Sequence, residues 1–197
     1  DVISKHHLVM VPGQGFGGMQ HFGRARMNAA NDTTGGYKAS EMNVETLGAV
    51  ASSGSTAATA SINQQLYAEF GVHLQTTKEM VSNTLNASGI NRFGGGSILG
   101  CSSNWGWISA QAILMSEVEV YGATVWSSSG YDTGTANRQL PLFAFSKQAQ
   151  NNRTAWYWLK DVASATHFCD AGNHGGSDFF FASVNSGYVR PRFILAA

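Results

Sequence analysis

Three consecutive phenylalanines, Phe179-Phe180-Phe181, stand in a stretch of small and polar residues. The chemistry such a run can do is binding. A strand turns alternate side chains to opposite faces, so at least one of the three rings must point away from the core. An exposed ring buries about 150–250 Å² when a partner covers it. Phe168, His174 and Tyr188 can extend the patch, because aromatic residues anchor interfaces. Asp170, Asn173, Ser177, Asp178, Asn185 and Ser186 can supply a polar rim. The alternative places Phe168 and Phe180 in the core.

Other residues invite chemistry and do not sustain it. His167 with Asp170, and His174 with Asp178, have the spacing of metal ligands on a helix, but their segment is not helical in pattern. No metal and no cofactor is expected. Glu117 and Glu119 stand two apart, which puts them on no common helix stripe, so capping is their expected role. No Gly-Xaa-Ser-Xaa-Gly elbow occurs, which leaves a serine hydrolase without a nucleophile. The two cysteines, Cys101 and Cys169, are too few for a zinc site of four cysteines. Spacing alone leaves a disulfide and two free thiols both open.

The elements that position these groups are short. His6 to Val11 reads as a strand closed by Pro12-Gly13, and Gln14 to Gly23 as a Gly-rich loop. Ala39 to Val50 has the apolar spacing of a helix. Ile62, Leu66 and Phe70 lie four apart in a second helix, with Ser61 and Gln64 as its capping box. Asn83 to Gly106 reads mostly as loop. Gln111 to Met115 is a buried strand or helix lead-in. Ser116 and Glu119 form another capping box, although Val118, Val120 and Val125 would also suit a strand. Leu140 to Phe145 reads as extended, Thr154 to Val162 as a strand, and Val189 to Leu195 as a final strand that Pro191 makes an edge or a bulge. Trp156 and Trp158, two apart on their strand, are expected on opposite sides. Asp161 is placed to pair with Arg190 or Arg192. Early helices followed by late strands favour α+β.

Composition agrees with a loop-rich fold with many turns. Of 197 residues 23 are Gly and only 12% are charged, against roughly 25% in ordinary soluble domains. The formal net charge is zero. Without a basic run, nucleic acid is not an expected partner. No apolar stretch approaches the roughly 18 residues that span a bilayer, so membrane insertion is not expected.

The run Trp158-Leu159-Lys160-Asp161-Val162-Ala163-Ser164, then Ala182-Ser183, then Gly187-Tyr188-Val189-Arg190-Pro191-Arg192-Phe193, resembles the C-terminal signature of a family of phage and bacterial surface proteins. There the pattern is tryptophan-leucine-arginine-aspartate, a Gly- and Asn-rich stretch, then glycine-valine-arginine-proline-alanine-phenylalanine. Here Lys160 replaces the arginine and Tyr188 is inserted. Thr34 to Tyr37, Leu114 to Glu117 with Val120 to Gly122, and Gln139 to Phe143 fit too, so the likeness runs from about Met27 to the end.

This family resembles the formylglycine-generating-enzyme-like branch of the C-type-lectin fold. The resemblance implies an α+β domain over residues 1–197, with short twisted antiparallel strands, two or more helices, long loops and a ligand-binding segment over 155–197. It also implies kinship with the variable proteins of diversity-generating retroelements, whose adenine-directed rewriting of asparagine codons cannot yield Lys, Glu, Gln, Met or Trp. Ser164 to Tyr188 contains none of those five types, as an ordinary Gly/Ser/Asn-rich loop also would not. On this likeness His167, Phe168, Cys169, Asp170, Asn173, His174, Ser177, Asp178, Phe179, Phe180, Phe181, Ser183, Asn185, Ser186 and Tyr188 form the variable binding set. Trp158, Asp161, Arg190 and Pro191 form its scaffold.

The expected function is non-enzymatic: display of a variable surface to a protein or glycan ligand, such as a host-cell receptor, from a virion or a cell surface. Oligomeric state is left open. Two rivals remain. One is a structural virion or tail-fibre component that buries the same segment in an assembly contact. The other is a cysteine-dependent oxidase of the formylglycine-generating type, which would need a second thiol beside Cys169.

Overall fold

A computed structural model describes residues 6–15, 18–19, 22–84, 104–127, 139–150 and 155–197. The architecture is mixed, with small antiparallel sheets and short helices. In chain order the strands are β1 (His7–Met10), β2 (Gln14–Gly15), β3 (Gly18–Met19), β4 (Thr77–Thr84), β5 (Asn104–Ala110), β6 (Ala112–Leu114), β7 (Tyr157–Val162), β8 (His167–Ala171), β9 (Ser177–Phe181) and β10 (Pro191–Ala196). The helices are α1 (Gly36–Ala39), α2 (Ile62–Phe70), α3 (Glu117–Tyr121), α4 (Pro141–Phe145) and α5 (Lys147–Gln150), with a π-helical turn at Met42–Leu47.

The first sheet has the order β1-β10-β6 and the second β7-β8-β9, while β4 pairs with β5 and β2 with β3. The last strand is therefore central, not the edge that Pro191 suggested. Proline occupies its first position, where the missing N–H costs the ladder little. Arg192 and Phe193 then pair with Ile113 and Ala112 on one side, and Phe193 to Ala196 pair with β1 on the other.

Both capping boxes are present. Ser61 caps α2 with Gln64, and Ser116 caps α3 with Glu119. The valines of α3 thus yield to a cap that satisfies orphan N–H groups at both partners. Leu140 to Phe145 is corrected from extended to helical. Pro141 sits in the first turn, where its fixed φ is already helical and no donor is lost. The Ala39 to Val50 helix is broken. α1 ends at Ala39, and a π-helical turn ends at Gly48, whose φ of 82° favours glycine. β4 and the start of β5 replace part of the loop read across Asn83 to Gly106, and residues 85–103 lie outside the described residues.

Strand β7 divides two apolar clusters. Trp158 and Val162 belong to one with Tyr37, Met42, Ile113, Leu114, Phe168 and Phe193. Tyr157 and Leu159 belong to the other with Met115, Val120, Phe143, Cys169 and Ala171. Both faces of the strand are covered, so its sequence is apolar without strict alternation. Among the described residues no helix is long and apolar enough to cross a membrane.

The expected Asp161–arginine pair does not form. Asp161 instead accepts the backbone N–H of Glu117 at the start of α3. Arg192 reaches Glu79 at 2.8 Å and Glu119 at 2.5 Å, and Lys160 lies 3.5 Å from Glu119 and 3.9 Å from Glu79. This quartet is neutral overall and ties β4, α3, β7 and β10 together. Arg190 is fully buried. It donates to the carbonyls of Pro12 and Gln150, and its guanidinium lies over the rings of Tyr157 and Phe143.

Candidate ligand-binding surface

β8 and β9 form a hairpin in which His167 faces Phe181, Phe168 faces Phe180, Cys169 faces Phe179 and Asp170 faces Asp178. The connecting turn closes through Gly172 N–H to the Gly176 carbonyl and Gly175 N–H to the Gly172 carbonyl. Gly175 adopts φ 87° there, a conformation that side chains resist. The turn lifts Asn173 and His174 into solvent.

The hairpin splits the sequence-derived set in two. Phe168, Cys169 and Asp170 are fully buried, which takes Phe168 and Cys169 out of a contact surface and sets Asp170 one side chain behind it, across the ladder from exposed Asp178. They lie on the inner strand, between β7 and β9, with cluster residues on both faces. Asn173, His174, Asp178, Phe180, Phe181, Asn185 and Ser186 are exposed, Phe180 by 39% and Phe181 by 46%. His167, Ser177, Phe179, Ser183 and Tyr188 lie at the boundary.

The exposed rings are held by neighbours. Trp156 stacks on Phe180, with centroids 4.7 Å apart and planes at 30°, and meets Trp158 edge-on at 4.9 Å. The two tryptophans therefore pack together, which corrects the expectation that they face opposite ways: residues two apart on an extended chain share a face. Gly187 makes room for this pair: a Cβ there would collide with both indole rings. His167 lies against Phe181 at 4.1 Å, and its Nδ1 is 2.9 Å from the Ser164 hydroxyl and 2.8 Å from that of Thr166. Partial burial lowers the imidazole pKa. Phe179 shares the face of His167 and Phe181, edge-on to His167 at 5.2 Å and to Trp126 at 4.9 Å, and the Trp126 Nε1–H donates to the Ser177 carbonyl.

Two contributors escaped the sequence reading. Arg24 donates to the Tyr188 hydroxyl at 2.6 Å and its guanidinium lies 4.7 Å from the ring centroid. The segment around it runs beside residues 182–188, with Ala25 N–H bonded to Gly187 O and Met27 N–H to Ala182 O. Asn31 accepts from both the backbone and the hydroxyl of Ser183. No local spacing reveals either contact.

The supporting electrostatics come from α3. Glu117 is fully buried and accepts from the backbone N–H groups of Val125, Trp126 and Ser127 and from the hydroxyls of Ser127 and Ser177. It pins the Trp126 loop to β9. Burial, then the charges of Asp178 and Glu117, hold the Asp170 carboxyl up at about 8. Burial, helped by Glu117, raises Asp161 to about 7. Cys169 is a free, buried thiol, and burial with nearby Glu117 pushes its pKa well above the ordinary value. Such a thiol is a poor nucleophile near neutral pH. Cys101 lies outside the described residues.

Comparison with protein-family models, curated proteins and solved structures gives no match.

Proposed function

We propose that the chain is a ligand- or receptor-binding domain on a C-type-lectin-like scaffold, with its contact surface on the β8–β9 hairpin and the stretch up to Tyr188. The observation that carries this reading is a division of labour within one segment. Phe168, Cys169 and Ala182 face inward and fix the frame, while Phe180, Phe181, Asp178, Asn173 and His174 face outward. Partly exposed rings ringed by short polar side chains are the composition of a contact surface. Their exposure means they can vary with little cost to folding.

In this reading the surface is diversified by a retroelement and meets a protein or glycan ligand, such as a host-cell receptor, from a virion or cell surface. The chain binds and does not catalyse. The absence of Lys, Glu, Gln, Met and Trp from Ser164 to Tyr188 supports that reading.

Sequencing the locus tests it. The expected result is a near-copy of the C-terminal coding segment beside a reverse-transcriptase gene. The copy should differ at adenines, in the codons of residues such as Asp178, Phe180 and Phe181. A locus without such a copy, and natural isolates identical across those codons, would overturn the diversified surface.

A further inference from the structure

Register places Trp158, Asp170 and Asp178 side by side across β7, β8 and β9. Directly opposite residues share a sheet face, with Cβ atoms about 4.5–5.5 Å apart. The neighbouring row on that face holds Val162, Phe168 and Phe180. Trp156 covers Phe180 and touches Trp158. An aromatic stack therefore adjoins a carboxylate pair.

Asp170 is fully buried, and neither of its carboxyl oxygens has a hydrogen-bond partner. An unpaired buried acceptor is a costly arrangement. Asp178 stands exposed beside it and accepts the N–H of Phe179 with one oxygen. A group that satisfies both acids must carry positive charge and several N–H donors, and must tolerate the face of an aromatic ring. Guanidinium and alkylammonium groups do all three. A hard metal ion instead wants about six to eight oxygen ligands. Among the described residues no three His, Cys, Asp or Glu side chains gather as a metal would need.

We propose that the Asp170–Asp178 pair, flanked by the Trp156–Phe180 stack, is the subsite that receives a guanidinium or ammonium group of the ligand. This rests on the binding-surface reading above and names the chemistry it selects. Asp178 meets the cation at the surface, and Asp170 completes the anionic pair from one side chain behind.

The exchange balances as cation in, proton out. Without ligand Asp170 holds its proton near neutral pH, since burial, Asp178 and Glu117 all disfavour its charge. The Tyr121 hydroxyl, also buried and without a hydrogen-bond partner, stays protonated, its pKa raised by burial and by Tyr157, Asp170, Glu117 and Asp178. A bound cation lets Asp170 ionise, and one proton leaves.

The test is calorimetric titration of the full chain with N-acetyl-arginine methylamide and N-acetyl-lysine methylamide. N-acetyl-citrulline methylamide and calcium chloride serve as comparisons, in two buffers of different ionisation enthalpy. The expected result is saturable binding of a cationic probe with Kd of about 1 mM, release of about one proton, and no binding of citrulline. Below pH 8 affinity should rise about tenfold per pH unit, as expected when one proton is displaced. D170N and D178N should each weaken the probe at least about tenfold while circular dichroism shows the fold kept, and D170N should remove the proton release. Equal binding of citrulline, unchanged binding by D170N, or a preference for calcium would overturn the proposal. If F180A and F181A abolish capture of a selected ligand while no cationic probe binds, the surface stands and the cation subsite falls.

Discussion

Trp156 lies flat on Phe180, 4.7 Å between centroids, and the contact joins the fixed approach to β7 with the exposed face of β9. One side of the Phe180 ring is held by the frame and the other is open to a partner. Such a ring is pre-ordered, so a ligand need not spend as much side-chain entropy to meet it.

Truncating the outer rings should therefore separate binding from folding. F180A and F181A should each cost about 1 kcal/mol or less, since their burial is partial. F168A should cost about 3–5 kcal/mol, because that ring is wholly enclosed. Urea denaturation of the three variants measures this. Equal losses at all three positions would mean that Phe180 and Phe181 are core.

The buried quartet should respond to loss of one partner. R192A leaves Lys160 alone to balance Glu79 and Glu119 in a nearly enclosed site, and about 3–5 kcal/mol of stability should go. Lys160 and Arg192 together outweigh burial and hold Glu119 down at about 2. Its folded pKa is depressed, so its contribution is present above about 4.5 and is lost as pH falls toward 2. Denaturation midpoints from pH 5 to 2 should fall in the wild type and fall less steeply in E119Q.

Asp170 should act in the opposite sense. Its folded pKa is raised from 3.8 to about 8, by burial first and then by Asp178 and Glu117. The stability it favours is full below about 3.8 and is lost as pH rises through about 8. Asp161, raised to about 7, adds a similar trend. D170N should thus be more stable than wild type at pH 8.5 and nearly equal to it at pH 4. Denaturation curves at the two pH values decide this; an equal difference at both would refute the assignment.

Gly187 should tolerate no side chain. G187A would drive a methyl into Trp156 and Trp158, which costs about 1–3 kcal/mol of strain. Tryptophan fluorescence should shift as Trp156 leaves Phe180. An unchanged spectrum and stability would show that the indoles are not packed there.

The local signals in the sequence were legible where chemistry is local. The caps at Ser61 and Ser116 and the strand through Trp158 follow from neighbouring residues, and each is present. What failed was tertiary. Pro191 reads as an edge signal only if it lies inside a strand, and here it begins one. Asp161 lacks its arginine because Glu79 and Glu119 claim Arg192 from distant segments. The run from His167 to Asp170 gave no sign that three of its residues are enclosed, since their cover comes from β7, β9 and α3. Arg24 reaches Tyr188 across most of the chain, and no spacing rule foresees that.

The most direct measurement of the central claim is a display library randomised at Asn173, His174, Asp178, Phe180, Phe181, Asn185 and Ser186, scored for folding and then selected against protein and glycan targets. Most members of this library should fold as the parent does, and new binders should emerge. A second library at Phe168, Cys169 and Ala182 should mostly fail to fold. If the first library collapses as often as the second, the outer residues are part of the frame and the surface does not exist as described.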